Sequence, residues 1–260
     1  MKEMQFDILP ITLLEAYKQQ IGKNRRANFD TLKDSSLSAD SFSFYTSVSA
    51  VFSSKIEGEH IELDSFIKHK KLGTKFLPDY TQKIDDLYDA YQLAQDMSLS
   101  ESAIKKAHTL LTRHILQKGQ RGKIRTTNMF VMTPDGKIEY VACAPDKVQQ
   151  EINKLYKDIA LLVNEDLSFE EALFYASLIH LVFVKIHPFD DGNGRTGRLL
   201  EKWFLAQKLG KKAWFLQSEK YYYDHHQTYY NNIRLMGLEY DSLDYSKAMP
   251  FLLMLAEAMN

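Results

Sequence analysis

A glycine-rich segment at residues 185–198 carries the side chains best suited to chemistry. It reads KIHPFDDGNGRTGR and combines one histidine with two aspartates, three glycines and two arginines. A histidine can accept a proton near neutral pH, and a glycine-rich turn that enters a helix points free N–H groups at an anion. Carboxylates repel phosphate unless a cation lies between them, and Mg²⁺ binds one or two carboxylates together with phosphate oxygens. The combination predicts phosphoryl or nucleotidyl transfer.

The two arginines of this segment stand where a helix is predicted to begin. Apolar residues recur from Leu199 to Leu205, and Gly210 marks the predicted end of that helix. Arg195 and Arg198 are three residues apart, so they share a face of the first turn. Cations there oppose the helix dipole by a few tenths to about 1 kcal/mol each, which a bound polyanion can outweigh. We therefore expect phosphate at this helix start.

A buried helix is predicted to lead into the segment. Ser168 and Glu171 form a capping-box pattern, and the apolar run that follows continues to Ile186. Pro188 disfavours helical geometry at His187, so the histidine should lie at the end of a rigid, buried helix. Such a mount suits a catalytic group.

The rest of the chain predicts a mostly α-helical protein. Eleven glycines and six prolines in 260 residues leave few helix breakers. The polar stretch 23–40 is predicted to be a loop. Apolar periodicity and end signals predict further helices over residues 41–57, 80–94, 101–116 and 147–163.

One segment, residues 128–141, predicts a β-hairpin instead. Two short β-prone runs flank the sequence TPDG at 133–136, where proline and glycine are placed as a tight turn requires. The exposed edges of a lone hairpin invite pairing with another extended chain. From this stretch alone, a surface hairpin without a functional role is an equally supported alternative.

Composition restricts the classes of protein that fit. The chain has 33 Lys and Arg against 34 Asp and Glu, so it lacks the basic excess typical of nucleic-acid binding. The single cysteine, Cys143, excludes an intramolecular disulfide and favours the reducing cytoplasm. Residues 1–20 lack a signal-peptide pattern, and the most apolar window, 172–186, is too short to cross a bilayer. We expect a cytoplasmic protein, of one large domain or one domain with an extension, without nucleic-acid or membrane partners.

The segment from His187 to Arg198 resembles the Fic motif, H-x-F-x-(D/E)-G-N-G-R-x-x-R, with every fixed position filled. The resemblance extends over about residues 101–235 and includes the hairpin, which corresponds to the family's substrate-positioning flap. It implies a mostly α fold, a Fic-type helical bundle with a small β-hairpin flap beside the active site. It also implies an N-terminal helical region over 1–100 and a Fic domain with C-terminal helices over 101–260.

The resemblance further implies a reaction, the transfer of AMP from ATP to a hydroxyl of a protein side chain. His187 would be the general base, for which a pKa near neutrality is suited. Asp191 would hold Mg²⁺ against the phosphates, and Phe189 would anchor the loop in the core. The target would be an unidentified protein, this chain itself included, docked along residues 128–141; a homo-oligomer is compatible with the sequence. The phosphates would be bound by Gly192, Asn193, Gly194, Arg195 and Arg198.

A second resemblance lies upstream, in the sequence SSKIEG at residues 53–58. It is similar to the inhibitory motif (S/T)-x-x-x-E-(G/N) of many Fic proteins, with Ser53, Glu57 and Gly58 at the fixed positions. This implies the class with an N-terminal inhibitory helix, in which Glu57 pairs with Arg198 and occupies the guanidinium that would hold the γ-phosphate. Arginine and carboxylate form geometrically specific pairs.

The stretch KYYYDHHQTYYNNI at residues 220–233 is similar to the family's helix beside the nucleotide base. Tyr223, Tyr229 and Tyr230 are candidates for stacking on adenine or closing the pocket, with core packing as the favoured alternative. Relatives often have an arginine three residues before the tyrosine pair, where this chain has His226.

Other functions stay open at this stage. A metal-dependent phosphohydrolase would use His180, His187 and Asp191 as ligands, although core packing is the favoured role of His180. The glutamate could also support removal of AMP rather than its addition. A third alternative is a non-catalytic nucleotide-binding module that Glu57 inhibits permanently.

Overall fold

A computed structural model describes residues 5–39, 42–132 and 136–259. These residues form helices around a buried central helix, with one short antiparallel hairpin at the side. The α-helices within the described residues are α1 Leu14–Gln20, α2 Arg25–Asp30, α3 Phe44–Ile56, α4 Leu63–Leu72, α5 Pro78–Asp96, α6 Glu101–Leu111, α7 Pro145–Asn164, α8 Phe169–Ile186, α9 Asn193–Leu209, α10 Ser218–Asp224, α11 His226–Arg234 and α12 Met249–Glu257, and the strands are β1 Phe130–Met132 and β2 Ile138–Val141. The predicted fold class, mostly α with a small hairpin, is confirmed.

Helix α8 is the central helix, and it begins at the predicted capping box. The Ser168 hydroxyl accepts a hydrogen bond from the Glu171 N–H at 3.2 Å, and the Glu171 carboxylate accepts one from the Ser168 N–H at 2.8 Å. Apart from Glu170 and Glu171, every residue of α8 is buried. The helix is apolar on all sides because other helices surround it.

Helix α9 packs closely against α8 at Gly197. A Cβ atom built on Gly197 would lie 2.8 Å from both His180 Cδ2 and Val184 Cγ1. Real side chains do not make such contacts, so the two backbones approach only because this residue lacks a side chain. Glycine at this position therefore sets the distance between the helices that carry the motif.

Alanine at Gly197 should overpack this contact. We expect Gly197→Ala to lower the free energy of unfolding by about 1–3 kcal/mol, as measured by urea denaturation. Gly119→Ala is the matched control, because a Cβ there meets nothing within 4 Å. An equal loss in the two variants would contradict close packing as the role of Gly197.

Two sequence predictions about helices differ from the structure. The stretch 23–40 is not all loop, because α2 lies within it; its buried Phe29 ring packs 5.5 Å from that of Phe169. Helix α6 ends at Leu111 rather than near residue 116. Its ladder breaks because the His114 N–H donates to the Asp86 carboxylate at 2.9 Å instead of to a helical carbonyl.

The predicted hairpin over residues 128–141 is present. Phe130 pairs with Val141 and Met132 with Ile138, with an irregularity between Val131 and Met132. Residues 133–135 of the predicted turn lie outside the described residues. The Tyr140 hydroxyl donates to the Lys185 carbonyl at 2.7 Å, so the hairpin is anchored to the C-terminal end of α8.

Helix α3 is fixed in the interior by a buried ion pair. Lys202 of α9 donates to the Ser49 hydroxyl at 2.7 Å and to the Glu219 carboxylate at 2.5 Å. A buried charge pair needs such further hydrogen bonds to offset its desolvation. The anchor holds the middle of α3 against the middle of α9, and Glu57 follows the C-terminal end of α3.

The described helices include none long and apolar enough to cross a membrane. The division of the chain at residue 100 remains a prediction.

Candidate active site

A cleft opens where α8 ends and α9 begins. The hairpin and α11 form its other walls. The predicted site residues in its lining come from three parts of the chain. Tyr223 is not among them, because its ring packs 5.5 Å from that of Phe52. The predicted residues in the lining are Glu57, His187, Gly194, Arg198, Tyr229 and Tyr230.

His187 is held in a left-handed backbone conformation at the end of α8. Its φ of 55° is the one positive value found at a non-glycine position among the described residues. Arg125, which is buried, donates from Nε to the His187 carbonyl at 2.7 Å and from Nη2 to the Cys143 carbonyl at 2.5 Å. These bonds stabilise a conformation that costs free energy in isolation. The sequence carried no signal for this role of Arg125.

The protonation state of His187 suits a proton acceptor. Its Nδ1 lies 3.2 Å from the Val184 carbonyl, which can only accept, so the ring proton is on Nδ1 and Nε2 carries the lone pair. Burial lowers the pKa of His187 to about 4. This value lies below the range near neutrality that suits a general base, because desolvation disfavours the charged ring. At pH 7 the imidazole is neutral.

The loop after His187 is fixed by two side chains beneath it. Asn193 bonds both main-chain groups of Phe189, accepting from its N–H at 2.9 Å and donating to its carbonyl at 2.8 Å. His108 stacks on the buried Phe189 ring with centroids 3.7 Å apart. Because Gly122 N–H donates to His108 Nδ1, Nε2 carries the proton and donates to the Asp191 carbonyl at 2.9 Å. His108, which sequence reasoning missed, therefore positions the loop.

The start of α9 has the features of an anion site. Gly192, with φ of 77°, precedes the first helical residue, Asn193. Arg195 is only 7% exposed, and its Nη1 has no hydrogen-bond partner among the described residues. A buried polar group without a partner is rare and indicates a binding partner that completes it. The free N–H groups of the helix start and this guanidinium favour phosphate.

Asp191 is the residue available to hold Mg²⁺ here. It is exposed, and one carboxylate oxygen accepts from the Gly192 N–H at 2.5 Å. No group of three or more His, Cys, Asp or Glu that could hold a metal occurs in the part of the chain that the structure describes. A single carboxylate beside an anion site fits Mg²⁺ bound together with phosphate oxygens and water, rather than an all-protein cage.

Glu57 occupies this anion site. Its carboxylate lies 2.5 Å from Arg198 Nη2, and a Cβ built on Gly194 would collide with it. Arg198, 1% exposed, also donates from Nε to the Ser53 hydroxyl at 2.9 Å. Burial raises the pKa of Glu57, but the charges of Arg198 and Arg195 outweigh it, so the pKa lies below its ordinary value. The carboxylate is therefore ionised at pH 7.

Gly58 ends α3 directly after the glutamate. Its φ is 88°, and a Cβ there would meet nothing within 4 Å. The left-handed backbone stops the helix, as the sequence predicted.

His180 does not join His187 and Asp191 as a metal ligand. It is fully buried, with Nδ1 2.9 Å from the Glu201 carboxylate and Nε2 3.0 Å from the Tyr229 hydroxyl. Both ring nitrogens are thus engaged inside the protein, which disfavours the phosphohydrolase alternative.

Together the fold and the site define a helical protein with an anion site at a glycine-rich helix start, beside a histidine and a short hairpin. The model of the Fic/DOC family matches residues 98–205. Residues 98–205 of this chain therefore resemble a Fic domain.

Solved structures agree on the fold. A Fic family protein from Desulfovibrio desulfuricans superposes with a TM-score of 0.75 at 21% identity, covering 98% of this chain and 74% of that one. Fic-1 from C. elegans gives a TM-score of 0.63 at 18% identity, covering 95% of this chain and 68% of that one.

Curated relatives match over a shorter region. The protein adenylyltransferase Fic of Nematostella vectensis is 36% identical over 81 residues, which is 31% of this chain and 17% of that protein. Protein adenylyltransferase fic-1 of Caenorhabditis elegans is 34% identical over 82 residues, 31% of this chain and 14% of that protein. The matched region thus spans less than a fifth of either relative.

Proposed function

We propose that this protein transfers AMP from ATP to a hydroxyl group of a target protein, and that Glu57 inhibits the transfer. The observation that carries the proposal is the convergence on one cleft of a neutral His187, the buried guanidinium of Arg198, and Gly194 at the glycine-rich start of α9. The names of the curated relatives, both protein adenylyltransferases, support the same reaction.

In the proposed reaction the target hydroxyl loses its proton to His187 Nε2 while its oxygen attacks the α-phosphorus of ATP. The bond from the α-phosphorus to the bridging oxygen breaks, and pyrophosphate leaves. The helix-start N–H groups with Arg195 and Arg198 bind the phosphates, so most of the catalysis is positioning and charge stabilisation. Mg²⁺, held by Asp191, would neutralise part of the phosphate charge.

The hairpin is the proposed docking site of the target. Phe130, Met132 and Ile138 expose about half of their surface, at 43%, 50% and 56%. Exposed apolar side chains next to an unpaired strand edge suit the addition of an extended segment of another chain. Such a segment would bring its hydroxyl to the cleft that His187 lines.

Position-specific labels on ATP test the reaction class. We expect the Glu57→Gly protein with Mg²⁺ and a cell lysate to acquire radiolabel from α-labelled ATP and none from γ-labelled ATP. Protein label from the γ-phosphate would instead assign phosphoryl transfer. ATP binding without label from either position would favour a non-catalytic nucleotide-binding module.

A further inference from the structure

Arg198 and Tyr229, which both line the cleft, begin a series of hydrogen bonds that continues into the core. Arg198 Nη1 lies 3.4 Å from the Tyr229 hydroxyl, and that hydroxyl lies 3.0 Å from His180 Nε2. His180 Nδ1 lies 2.9 Å from Glu201 Oε2. Exposure is 1% for Arg198 and Tyr229 and 0% for His180 and Glu201. This series of hydrogen bonds thus joins a buried guanidinium to a buried carboxyl group through a hydroxyl and an imidazole.

Every hydrogen bond in this series can be donated in the same direction, from Arg198 towards Glu201. A guanidinium only donates, so the Tyr229 oxygen accepts from Arg198. The tyrosine proton then goes to His180 Nε2, the other group in contact with that hydroxyl among the described residues. His180 consequently carries its ring proton on Nδ1 and donates it to Glu201. Burial raises the pKa of Tyr229 to about 12, so the hydroxyl keeps its proton at neutral pH.

Glu201 determines this direction. Its carboxylate only accepts, and it receives the His180 Nδ1–H and the Tyr222 hydroxyl, which lies 2.9 Å from each carboxylate oxygen. The carboxylate selects the tautomer of His180, the tautomer orients the Tyr229 hydroxyl, and the hydroxyl turns its lone pairs towards Arg198. Carboxylate-held imidazoles orient hydroxyls in the same way in other sites.

We infer that Glu201, His180 and Tyr229 are positioning residues that keep Arg198 directed at the phosphate site after Glu57 has left it. This inference rests on the proposed function, in which ATP displaces Glu57. The guanidinium then keeps two contacts that do not depend on Glu57, one with Ser53 and one with Tyr229.

Affinities of the Glu57→Gly protein for ATP and AMP test the inference. AMP lacks the outer phosphates that Arg198 would bind, so the affinity for AMP measures binding by the rest of the pocket. We expect Tyr229→Phe, which retains the ring, to raise the Kd for ATP about tenfold and to change the Kd for AMP less than twofold, by isothermal titration calorimetry. Glu201→Gln should have the same effect, because the amide can reverse the tautomer of His180.

The matched control is Tyr222→Phe. This variant removes a hydroxyl that donates to the same Glu201 carboxylate but leaves the hydrogen bonds between Glu201 and Arg198 intact. The Kd for ATP should therefore change less than twofold. An equal loss of ATP affinity in Tyr222→Phe and Tyr229→Phe would overturn the inference. So would an equal loss of ATP and AMP affinity in Tyr229→Phe. If Glu201→Gln does not fold, the comparison of Tyr229→Phe with Tyr222→Phe still tests the inference. Binding is measured without transfer, so failure of AMP transfer alone would refute the proposed function and not this inference.

Discussion

Glycine in place of Glu57 should raise the rate of AMP transfer by about 100-fold. The carboxylate now holds Arg198 Nη2 at 2.5 Å and lies against Gly194 at the start of α9. Hydrogen bonds to charged groups contribute about 1.5–3 kcal/mol, and each 1.36 kcal/mol of barrier is about tenfold in rate. Removing this competitor for the phosphate site should therefore raise the rate of AMP transfer by about two orders of magnitude. The measurement is the initial rate of protein labelling from α-labelled ATP.

Glu59→Gly is the matched control for this change. Glu59 lies two residues further along, and its carboxylate pairs with Lys83 at 2.7 Å. The control removes a nearby negative charge and adds the same flexible residue, so we expect its labelling rate to remain within twofold of the parent. Equal rates in the parent and in Glu57→Gly, across several lysates, would refute inhibition by Glu57.

Removal of the His187 imidazole from the Glu57→Gly protein should lower transfer by about 1,000-fold, within the range typical of a general base. The neutral ring is anchored through Nδ1 to the Val184 carbonyl, and its Nε2 lone pair is the one available to accept a proton. Because the ring is a base rather than a phosphate ligand, affinity for ATP should change less than twofold. Single-turnover labelling gives the rate, and calorimetry gives the affinity.

Two substitutions separate the chemistry of His187 from its backbone. His187→Ala removes the imidazole but places alanine at φ of 55°, whereas His187→Asn suits that conformation better. We expect both to lose transfer equally. His225→Ala, which removes a ring that stacks on Tyr221, should not. Retention of more than a tenth of the rate in His187→Asn would show that another group accepts the proton.

The elements next to the motif followed from local sequence. The capping box at Ser168 and Glu171, the helix end before Pro188 and the stop at Gly210 each involve residues within a few positions of one another. Backbone hydrogen bonding of that kind is decided locally. The prediction of the hairpin succeeded for the same reason, since only five residues separate its two strands in the sequence.

Errors arose where distant contacts override local pattern. Helix α2 is polar apart from Ala27 and Phe29, and the contact of Phe29 with Phe169 supplies the apolar burial that the periodicity lacks. Helix α6 ends early because Asp86 captures a backbone N–H of residue 114. Neither partner is visible in a local window, because each is brought in by packing.

The sequence by itself determined which groups can do chemistry and the order in which they meet the start of α9, because residues 187–198 are contiguous and their geometry is local. Only the tertiary structure decided what surrounds them. Glu57 meets Arg198 across 141 residues of chain because Lys202 and Glu219 hold α3 against α9. Arg125 holds the His187 carbonyl and Glu201 holds His180, both through buried contacts, and burial strengthens such contacts by removing competing water.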